Sequence, residues 1–262
     1  MLTSLQNATV KQMRKLQQAK ERRTQGLLLL EGTHLIEAAC TARYPLQTLC
    51  YTEEWQQRQP EICQQALGLA EQAERVSIAV LKSVASTITP DGVVASAPMR
   101  NAWQEAASQP GKAISLGIML ETLQDPGNLG TIIRTAAAAG SDGLWLSADS
   151  VSLDNPKVLR ASVGQWFRLP MATVDIVEKA QQLKQQGVQI VATAAIANLD
   201  YWALDLRQPT VFVMGNEGAG LSAALLESAS VTVKIPVMPE VESLNVAVST
   251  ALLLYEARRQ RQ

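Results

Sequence analysis

Short apolar runs separated by amphipathic stretches mark the first hundred residues of the chain. Four such runs predict β-strands, at 26–30, 46–51, 76–79 and 92–97. Helical periodicity between them predicts a long helix over 54–73 and shorter helices at 34–42 and 81–86. Strands alternating with helices predict an α/β sandwich of about one hundred residues, within the usual size of a domain.

The composition changes over residues 98–112, where Pro98, Pro110 and Gly111 enclose a polar stretch. We therefore place a linker at 99–112 between two domains, 1–98 and 113–262. The second domain repeats the alternation of strands and helices. Its predicted strands cover 113–121, 143–147, 188–195, 210–214 and 231–235. Its predicted helices cover 129–139, 155–164, 174–186, 221–228 and 244–261.

Two polar turns directly follow strands of the second domain. The strand at 210–214 runs into Gly-Asn-Glu-Gly-Ala-Gly at 215–220, and the strand at 231–235 runs into a loop at 237–242. Ligands in open α/β sheets bind outside the carboxyl ends of the strands, and glycine lets a backbone approach a ligand closely. The alternative is an ordinary glycine-rich turn in which Glu217 is a favourable charge at a helix start. The order of the glycines matches neither the dinucleotide fingerprint nor the P-loop.

A single cation interrupts the apolar, alanine-rich helix predicted at 129–139. Arg134 lies one turn beyond Gly130, and a polar turn at 125–128 precedes the helix. We therefore expect the side chain to reach back toward that turn. A side chain that extends to solvent or to a neighbouring carboxylate is the alternative.

The first 25 residues are basic, whereas the whole chain has a formal net charge of −1. The basic cluster consists of Lys11, Arg14, Lys15, Arg22 and Arg23. It predicts either a patch that contacts phosphates or a solvated helix face. Because the chain has no global basic field, any contact with nucleic acid has to come from such a local patch.

The cysteine count argues against a disulfide framework or a structural zinc site. The chain has 3 cysteines, an odd number without a Cys-x-x-Cys pair, so we expect free thiols in a reducing compartment. No apolar run approaches the ~20 residues that span a bilayer. The amino-terminal residues also lack the apolar core of a secretory signal. We therefore expect a cytoplasmic protein without a metal site or a membrane anchor.

Three blocks of the second domain resemble, in order and spacing, the motifs of the SpoU (TrmH-like) RNA 2′-O-ribose methyltransferases. The blocks are 125–134 (DPGNLGTIIR), 215–220 (GNEGAG) and 235–245 (IPVMPEVESLN). The resemblance spans residues 114–260. Pro239 stands where relatives often carry glycine, so the resemblance does not extend to the shape of the 237–242 loop.

The resemblance implies the SPOUT class, in which a parallel sheet flanked by helices ends in a C-terminal trefoil knot. It implies S-adenosylmethionine as cofactor and a homodimer formed across the cofactor site. The implied reaction is methyl transfer to a ribose 2′-hydroxyl of RNA, with ribosomal RNA favoured and transfer RNA as the alternative. The amino-terminal sequence resembles the domain that binds the RNA substrate in many of these enzymes.

The functional positions of the family carry over to residues in all three blocks. The residues implied at the 2′-hydroxyl are Asn128, Arg134, Glu217, Ser243 and Asn245. The residues implied at the cofactor are Thr193, Gly215, Asn216, Gly218, Ile235, Pro236 and Leu244. The resemblance also favours phosphate contact by the amino-terminal cluster. Two other functions stay open: an RNA-binding protein that has lost catalysis, and a nucleotide-dependent α/β oxidoreductase, although the chain lacks the fingerprint of the latter.

Overall fold

The computed structural model describes residues 1–99, 113–216 and 218–262. These residues form two compact units. The first unit consists of residues 1–99 together with Ser152–Arg168, and the second consists of the remainder. Apart from Met99, the predicted linker 99–112 lies outside the described residues, and the predicted domain boundaries stay a prediction. No helix within the described ranges is long and apolar enough to cross a membrane.

A mixed four-stranded sheet organises the first unit. Its strands are β1 (Leu27–Glu31), β2 (Leu46–Tyr51), β3 (Ala70–Arg75) and β4 (Val93–Pro98), in the order β1-β4-β2-β3. Strand β4 is antiparallel to β1 and β2, whereas β2 and β3 are parallel. The helices are α1 (Ala8–Lys15), α2 (Ala19–Gln25), α3 (Thr33–Thr41), α4 (Glu53–Arg58), α5 (Pro60–Leu69) and α6 (Ile78–Val84).

The structure corrects the prediction for residues 54–79. The long predicted helix is two helices, because Pro60 lacks an N–H and keeps Gln59 out of the helical conformation. Residues 70–73, the end of the predicted helix, belong to β3 instead, and the strand predicted at 76–79 overlaps the start of α6. Pairing with β2 decides this conformation, since β3 is a polar, largely exposed strand at the edge of the sheet.

Seven parallel strands form the sheet of the second unit, which confirms the predicted α/β class. They are β5 (Leu116–Leu120), β6 (Gly143–Leu146), β7 (Met171–Thr173), β8 (Gln189–Thr193), β9 (Leu199–Asp200), β10 (Thr210–Met214) and β11 (Val231–Lys234), in the order β7-β6-β5-β10-β8-β11-β9. The helices are α7 (Pro126–Ala139), α9 (Ile176–Gln185), α10 (Ala223–Ser228) and α11 (Val246–Gln260), while α8 (Pro156–Ala161) belongs to the first unit. Strands β5 and β10 are buried along their whole length, so the core of the unit lies around the centre of the sheet.

Buried polar contacts hold Ser152–Arg168 within the first unit. Arg22 Nε donates to Asp154 Oδ2 at 2.7 Å, and its Nη1 donates to the carbonyl oxygens of Leu16 and Gln17 at 3.0 and 3.1 Å. Only 3% of Arg22 is exposed. A guanidinium that is buried and already paired cannot reach an RNA phosphate, so Arg22 is removed from the predicted phosphate-contacting cluster.

Hydrogen bonds connect the carboxyl end of α11 to the residues that precede β5 and β10 in the second unit. Arg261, which follows the helix, donates to the carbonyl oxygens of Leu206, Gln208 and Ser115 at 2.7, 2.8 and 3.0 Å. Gln260 joins the same segment, because its Oε1 accepts the N–H of Leu206 at 2.8 Å. These bonds tie the helix to the segment that leads into β10 and to the residue just before β5.

Replacing Arg261 with Ala should therefore destabilise the second unit. The loss of several charge-assisted hydrogen bonds to backbone carbonyls is expected to cost about 2–3 kcal/mol. The melting temperature should fall by roughly 5–10 °C. Arg259→Ala is the matched control, because among the described residues the exposed side chain of Arg259 pairs with Glu256 alone, and its melting temperature should change by less than about 2 °C. Equal melting temperatures for the two variants would contradict this account of Arg261.

Candidate functional site

The carboxyl ends of β5, β10, β8 and β11 lie side by side in the sheet, and the predicted ligand-binding turns follow two of them. A cleft of ≈ 380 Å³ opens at the ends of β8, β10 and β11. Its walls include five residues predicted from the sequence: Thr193, Ile235, Pro236, Ser243 and Leu244. Two charged residues that sequence analysis did not select, Lys234 and Glu242, also line it.

The loop after β10 is closed by its own backbone. Asn216 N–H donates to the Gly220 carbonyl at 3.0 Å, and Gly220 N–H returns a bond to the Asn216 carbonyl at 2.9 Å. The side-chain Oδ1 of Asn216 accepts the N–H groups of Gly218 and Ala219 at 2.9 and 3.1 Å. The Asn216 side chain is therefore part of the scaffold of the loop. Glu217, predicted at the 2′-hydroxyl, lies outside the described residues.

The three glycines of this loop differ in whether the backbone requires the absence of a side chain. A Cβ on Gly215 would lie 2.3 Å from the carbonyl carbon and oxygen of Gly220, so the closed loop has no space for a side chain there. Gly220 has φ +70°, the left-handed conformation that glycine adopts without strain. Gly218 has neither restriction, because its Cβ would meet Asn216 Oδ1 at 3.6 Å and no other described atom that close. The close approach at Gly215 is thus to the backbone of the loop itself.

The first and third sequence blocks meet through two asparagines. Asn245 Nδ2 donates to Asn128 Oδ1 at 3.1 Å, although 117 positions separate the two residues in the chain. Asn245 Oδ1 also caps α11 by accepting the N–H groups of Ala247 and Val248. At the other helix, Asp125 Oδ1 accepts Asn128 N–H at 2.7 Å. The predicted turn at 125–128 is therefore the N-cap and first turn of α7, which begins at Pro126 and not at residue 129.

Arg134 lies on the exposed side of α7, whereas Gly130, one turn earlier, is buried. Within the described residues its guanidinium has neither a hydrogen bond nor an ion pair. Because arginine stays protonated at any physiological pH, this is a free positive charge on an otherwise apolar helix. Such a group is available to an anionic or hydroxyl-bearing ligand.

The walls of the cleft contain unpaired backbone N–H groups and the hydroxyl of Thr193, which is already hydrogen-bonded. Thr193 Oγ1 donates to the Val213 carbonyl at 3.1 Å, which fixes its side chain at the end of β8. Between Val237 and Asn245, only the bond from Val241 N–H to the Met238 carbonyl uses a backbone donor within the described chain. The remaining N–H groups of this segment are free for solvent or a ligand. The described residues contain no group of three or more His, Cys, Asp or Glu side chains placed to hold a metal ion.

Four members of the amino-terminal cluster are exposed: Lys11, Arg14, Lys15 and Arg23. The three on α1 share one face at i, i+3 and i+4 spacing, away from the buried Val10 and Met13.

Glu121 is a further residue beside the glycine-rich loop, and it is absent from the residues predicted from the sequence. Its Oε2 accepts Ser222 N–H at 2.7 Å. No local signal identifies this residue, because its partner lies 101 positions away.

Comparison with known proteins identifies both parts of the chain. Residues 115–255 match the SpoU rRNA Methylase family, and residues 7–95 match the MRM3-like substrate binding domain. An uncharacterized tRNA/rRNA methyltransferase of Synechocystis is 45% identical over 99% of this chain and 94% of its own length. The 23S rRNA (guanosine(2553)-2′-O)-methyltransferase of Bacillus subtilis is 32% identical over 98% of both chains.

A solved structure supports the same assignment. The AdoMet-bound rRNA methyltransferase of Sinorhizobium meliloti superposes with a TM-score of 0.85 and 32% identity, over 98% of this chain and 97% of its own. The likeness therefore covers both compact units. This chain belongs to the SpoU rRNA methylase family.

Proposed function

We propose that this protein is an S-adenosylmethionine-dependent methyltransferase that modifies a ribose 2′-hydroxyl in ribosomal RNA. The observation that carries the proposal is the cleft at the carboxyl ends of β8, β10 and β11, next to the bond between Asn128 and Asn245. Family membership supports it, as do relatives named for 2′-O-methylation of 23S rRNA. Those names favour ribosomal over transfer RNA. Cytoplasmic localisation stays a prediction.

The cleft fits the cofactor in size and in chemistry. Its volume of ≈ 380 Å³ falls within the range of small-molecule sites, roughly 300–1,000 Å³. Ile235, Pro236 and Leu244 offer apolar surface together with backbone groups, and free N–H donors of the 237–245 segment suit the polar ends of a nucleoside. When bound, S-adenosylmethionine supplies a methyl group on a positively charged sulfur.

Arg134 and the polar residues of the three sequence blocks supply orientation and charge for the acceptor hydroxyl in this proposal. A ribose hydroxyl is a poor nucleophile until it loses its proton, so it has to be held in line with the methyl group. We assign Arg134 to orient this hydroxyl and to stabilise the negative charge that develops on it. An arginine side chain already carries its proton, so it does not act as the base itself. The proton passes to a substrate phosphate or to water. Asn128, Glu217, Ser243 and Asn245 complete the hydrogen-bonding group.

The first domain presents the RNA in this proposal. The match of residues 7–95 to a substrate binding domain supports it, as does the exposed basic face of α1. Lys11, Arg14, Lys15 and Arg23 are assigned to phosphates, because a chain with a net charge of −1 needs a local basic surface to bind RNA.

A homodimer and a trefoil knot belong to the same proposal. An apolar stripe of α11, formed by Val248, Leu252 and Tyr255, is exposed at helical spacing, and it supports association of two copies. Strand β10 lies between β5 and β8, and the chain then returns from β11 to pack α11 against α7. A return path of this kind supports threading of the C-terminal segment.

Arg134→Ala tests the reaction and the role of this side chain together. Wild-type protein should add 2′-O-methyl groups at defined positions of ribosomal RNA, mapped across total RNA with and without the protein. Arg134→Ala should leave S-adenosylhomocysteine affinity nearly intact, while single-turnover methyl transfer falls by about 10² or more. Arg134→Lys should recover little, because an ammonium lacks the planar guanidinium fork.

Arg259→Ala, which removes another exposed guanidinium of the second unit, serves as the control and should methylate normally. Near-normal turnover by well-folded Arg134→Ala would overturn the assigned role. Methylation of transfer RNA alone would overturn the substrate.

A second prediction concerns the glycine at the start of the loop. Gly215→Ala forces the loop backbone apart, because the new Cβ would sit 2.3 Å from Gly220. Affinity for S-adenosylhomocysteine, measured by calorimetry, should fall about tenfold or more, the effect of roughly 1.4 kcal/mol. Gly68→Ala in the first unit is the control, because a Cβ there would meet no described atom within 4 Å, and it should bind like the wild type. Equal affinities in both variants would remove the loop from the cofactor site.

The dimer has its own test. Leu252→Asp places a charge in the apolar stripe of α11 and should shift sedimentation equilibrium to the monomer. Leu226→Asp is the matched control, because Leu226 on α10 is exposed to a similar degree, 38% against 37%. A wild-type protein that sediments as a monomer at all accessible concentrations would rule out this part of the proposal.

A further inference from the structure

Among the described residues, two hydrogen bonds link the ends of the glycine-rich loop to the sheet. Its internal bonds between Asn216 and Gly220 fix its shape, but they do not fix its position relative to β5. At the start of the loop, Asn216 Nδ2 donates to the Thr122 carbonyl at 3.0 Å. Just after its end, Ser222 N–H donates to Glu121 Oε2 at 2.7 Å. Both external acceptors are therefore consecutive residues at the carboxyl end of β5.

Thr122, whose carbonyl accepts from Asn216, has a strained left-handed backbone conformation. Its φ is +53°, which is rare for a residue branched at Cβ. Its N–H donates to Ser147 Oγ and its Oγ1 donates to Asp149 Oδ2, both at 2.8 Å. These bonds to the segment after β6 stabilise the left-handed turn, and the Thr122 carbonyl accepts from Asn216.

The backbone of Glu121 extends the pairing of β5 with β10 by one residue, while its side chain bonds to the segment after the glycine-rich loop. Its N–H donates to the Met214 carbonyl at 2.9 Å, directly before Gly215. Its carboxylate then accepts the backbone N–H of Ser222, the N-cap of α10. A carboxylate acceptor makes this bond stronger than a bond between neutral groups. One residue therefore fixes both the strand that enters the loop and the helix that leaves it.

We propose that Glu121 is a positioning residue for the methyl-transfer site, and that its carboxylate holds the Gly215–Gly220 loop in register with the cleft. The inference rests on the proposed function, because the loop matters only if cofactor binds beside it. Glu121 itself touches neither cofactor nor substrate in this account. It acts through Ser222 and the loop backbone.

The test compares two carboxylate hydrogen-bond acceptors, Glu121 and Asp142, which lie at opposite ends of β5. Glu121→Ala should weaken S-adenosylhomocysteine binding by about tenfold, measured on the folded protein by calorimetry. Glu121→Gln keeps an oxygen that accepts the Ser222 N–H and should stay within about threefold of wild type. Asp142→Ala is the control, because Asp142 accepts the N–H groups of Ser115 and Leu116 at the opposite end of β5. It should lower the melting temperature without changing cofactor affinity.

The partner residue provides an independent pair of variants in case Glu121→Ala fails to fold. Ser222 has φ −63°, which proline adopts, so Ser222→Pro removes the donated N–H without forcing that angle. Ser222→Ala keeps the N–H and loses only the capping hydroxyl. Ser222→Pro should bind S-adenosylhomocysteine about tenfold more weakly than Ser222→Ala.

Several outcomes would overturn the inference. Wild-type affinity in Glu121→Ala, or equal affinities in Ser222→Pro and Ser222→Ala, would show that the bond does not position the site. A loss in Glu121→Gln as large as that in Glu121→Ala would assign the effect to charge and not to the held loop. A wild-type protein that fails to bind S-adenosylhomocysteine would instead defeat the proposed function, so the two failures are distinguishable.

Discussion

Parallel pairing of β5, β10, β8 and β11 is the constraint on which the candidate site depends. Parallel strands present their carboxyl ends at one edge of a sheet, so the segments that follow them converge there from distant parts of the chain. Strand β10 bonds to β5 on one side and to β8 on the other. The glycine-rich loop after it therefore lies between the block that carries Arg134 and the wall of the cleft that carries Thr193.

Two helices begin at this edge of the sheet. The amino terminus of α7 is capped by Asp125 and that of α11 by Asn245, and the bond from Asn245 to Asn128 brings the two termini together. Helix amino termini carry partial positive charge. The carboxylates of Asp125, Glu121 and Glu242 lie at the same edge, so the charges around the cleft are of both signs.

The two ends of α11 differ in how fully the neighbouring backbone is hydrogen-bonded. At its carboxyl end, Arg261 satisfies backbone carbonyls in the segment before β10 and in the residue before β5. At its amino end, the 237–245 segment leaves most of its backbone donors without partners in the described chain. A segment with unpaired backbone donors is less stable by itself. The hydrogen bonds of Arg261 at the far end of the helix hold α11 in place.

Much of the fold and part of the site follow from the sequence alone. Strands β2 and β10 are predicted with their observed bounds, because each is a short apolar run between turn residues. The three sequence blocks follow β5, β10 and β11 at one edge of the sheet. Five residues chosen from them or beside them line one cleft, and Asn128 and Asn245 form a direct bond. Patterns of this kind are local, and a local pattern is readable before the chain folds.

Only the tertiary structure decides the rest. The polar residues of β3 become a strand because β2 offers them a hydrogen-bonding edge, and their own propensity points to a helix. Arg22 looks like its exposed neighbours in sequence, but a carboxylate 132 positions away draws it into the interior. Glu121 acquires its place through Ser222, 101 positions away. Such pairings depend on the order of strands in the sheet, and no periodicity within one segment encodes which distant donor will meet which acceptor.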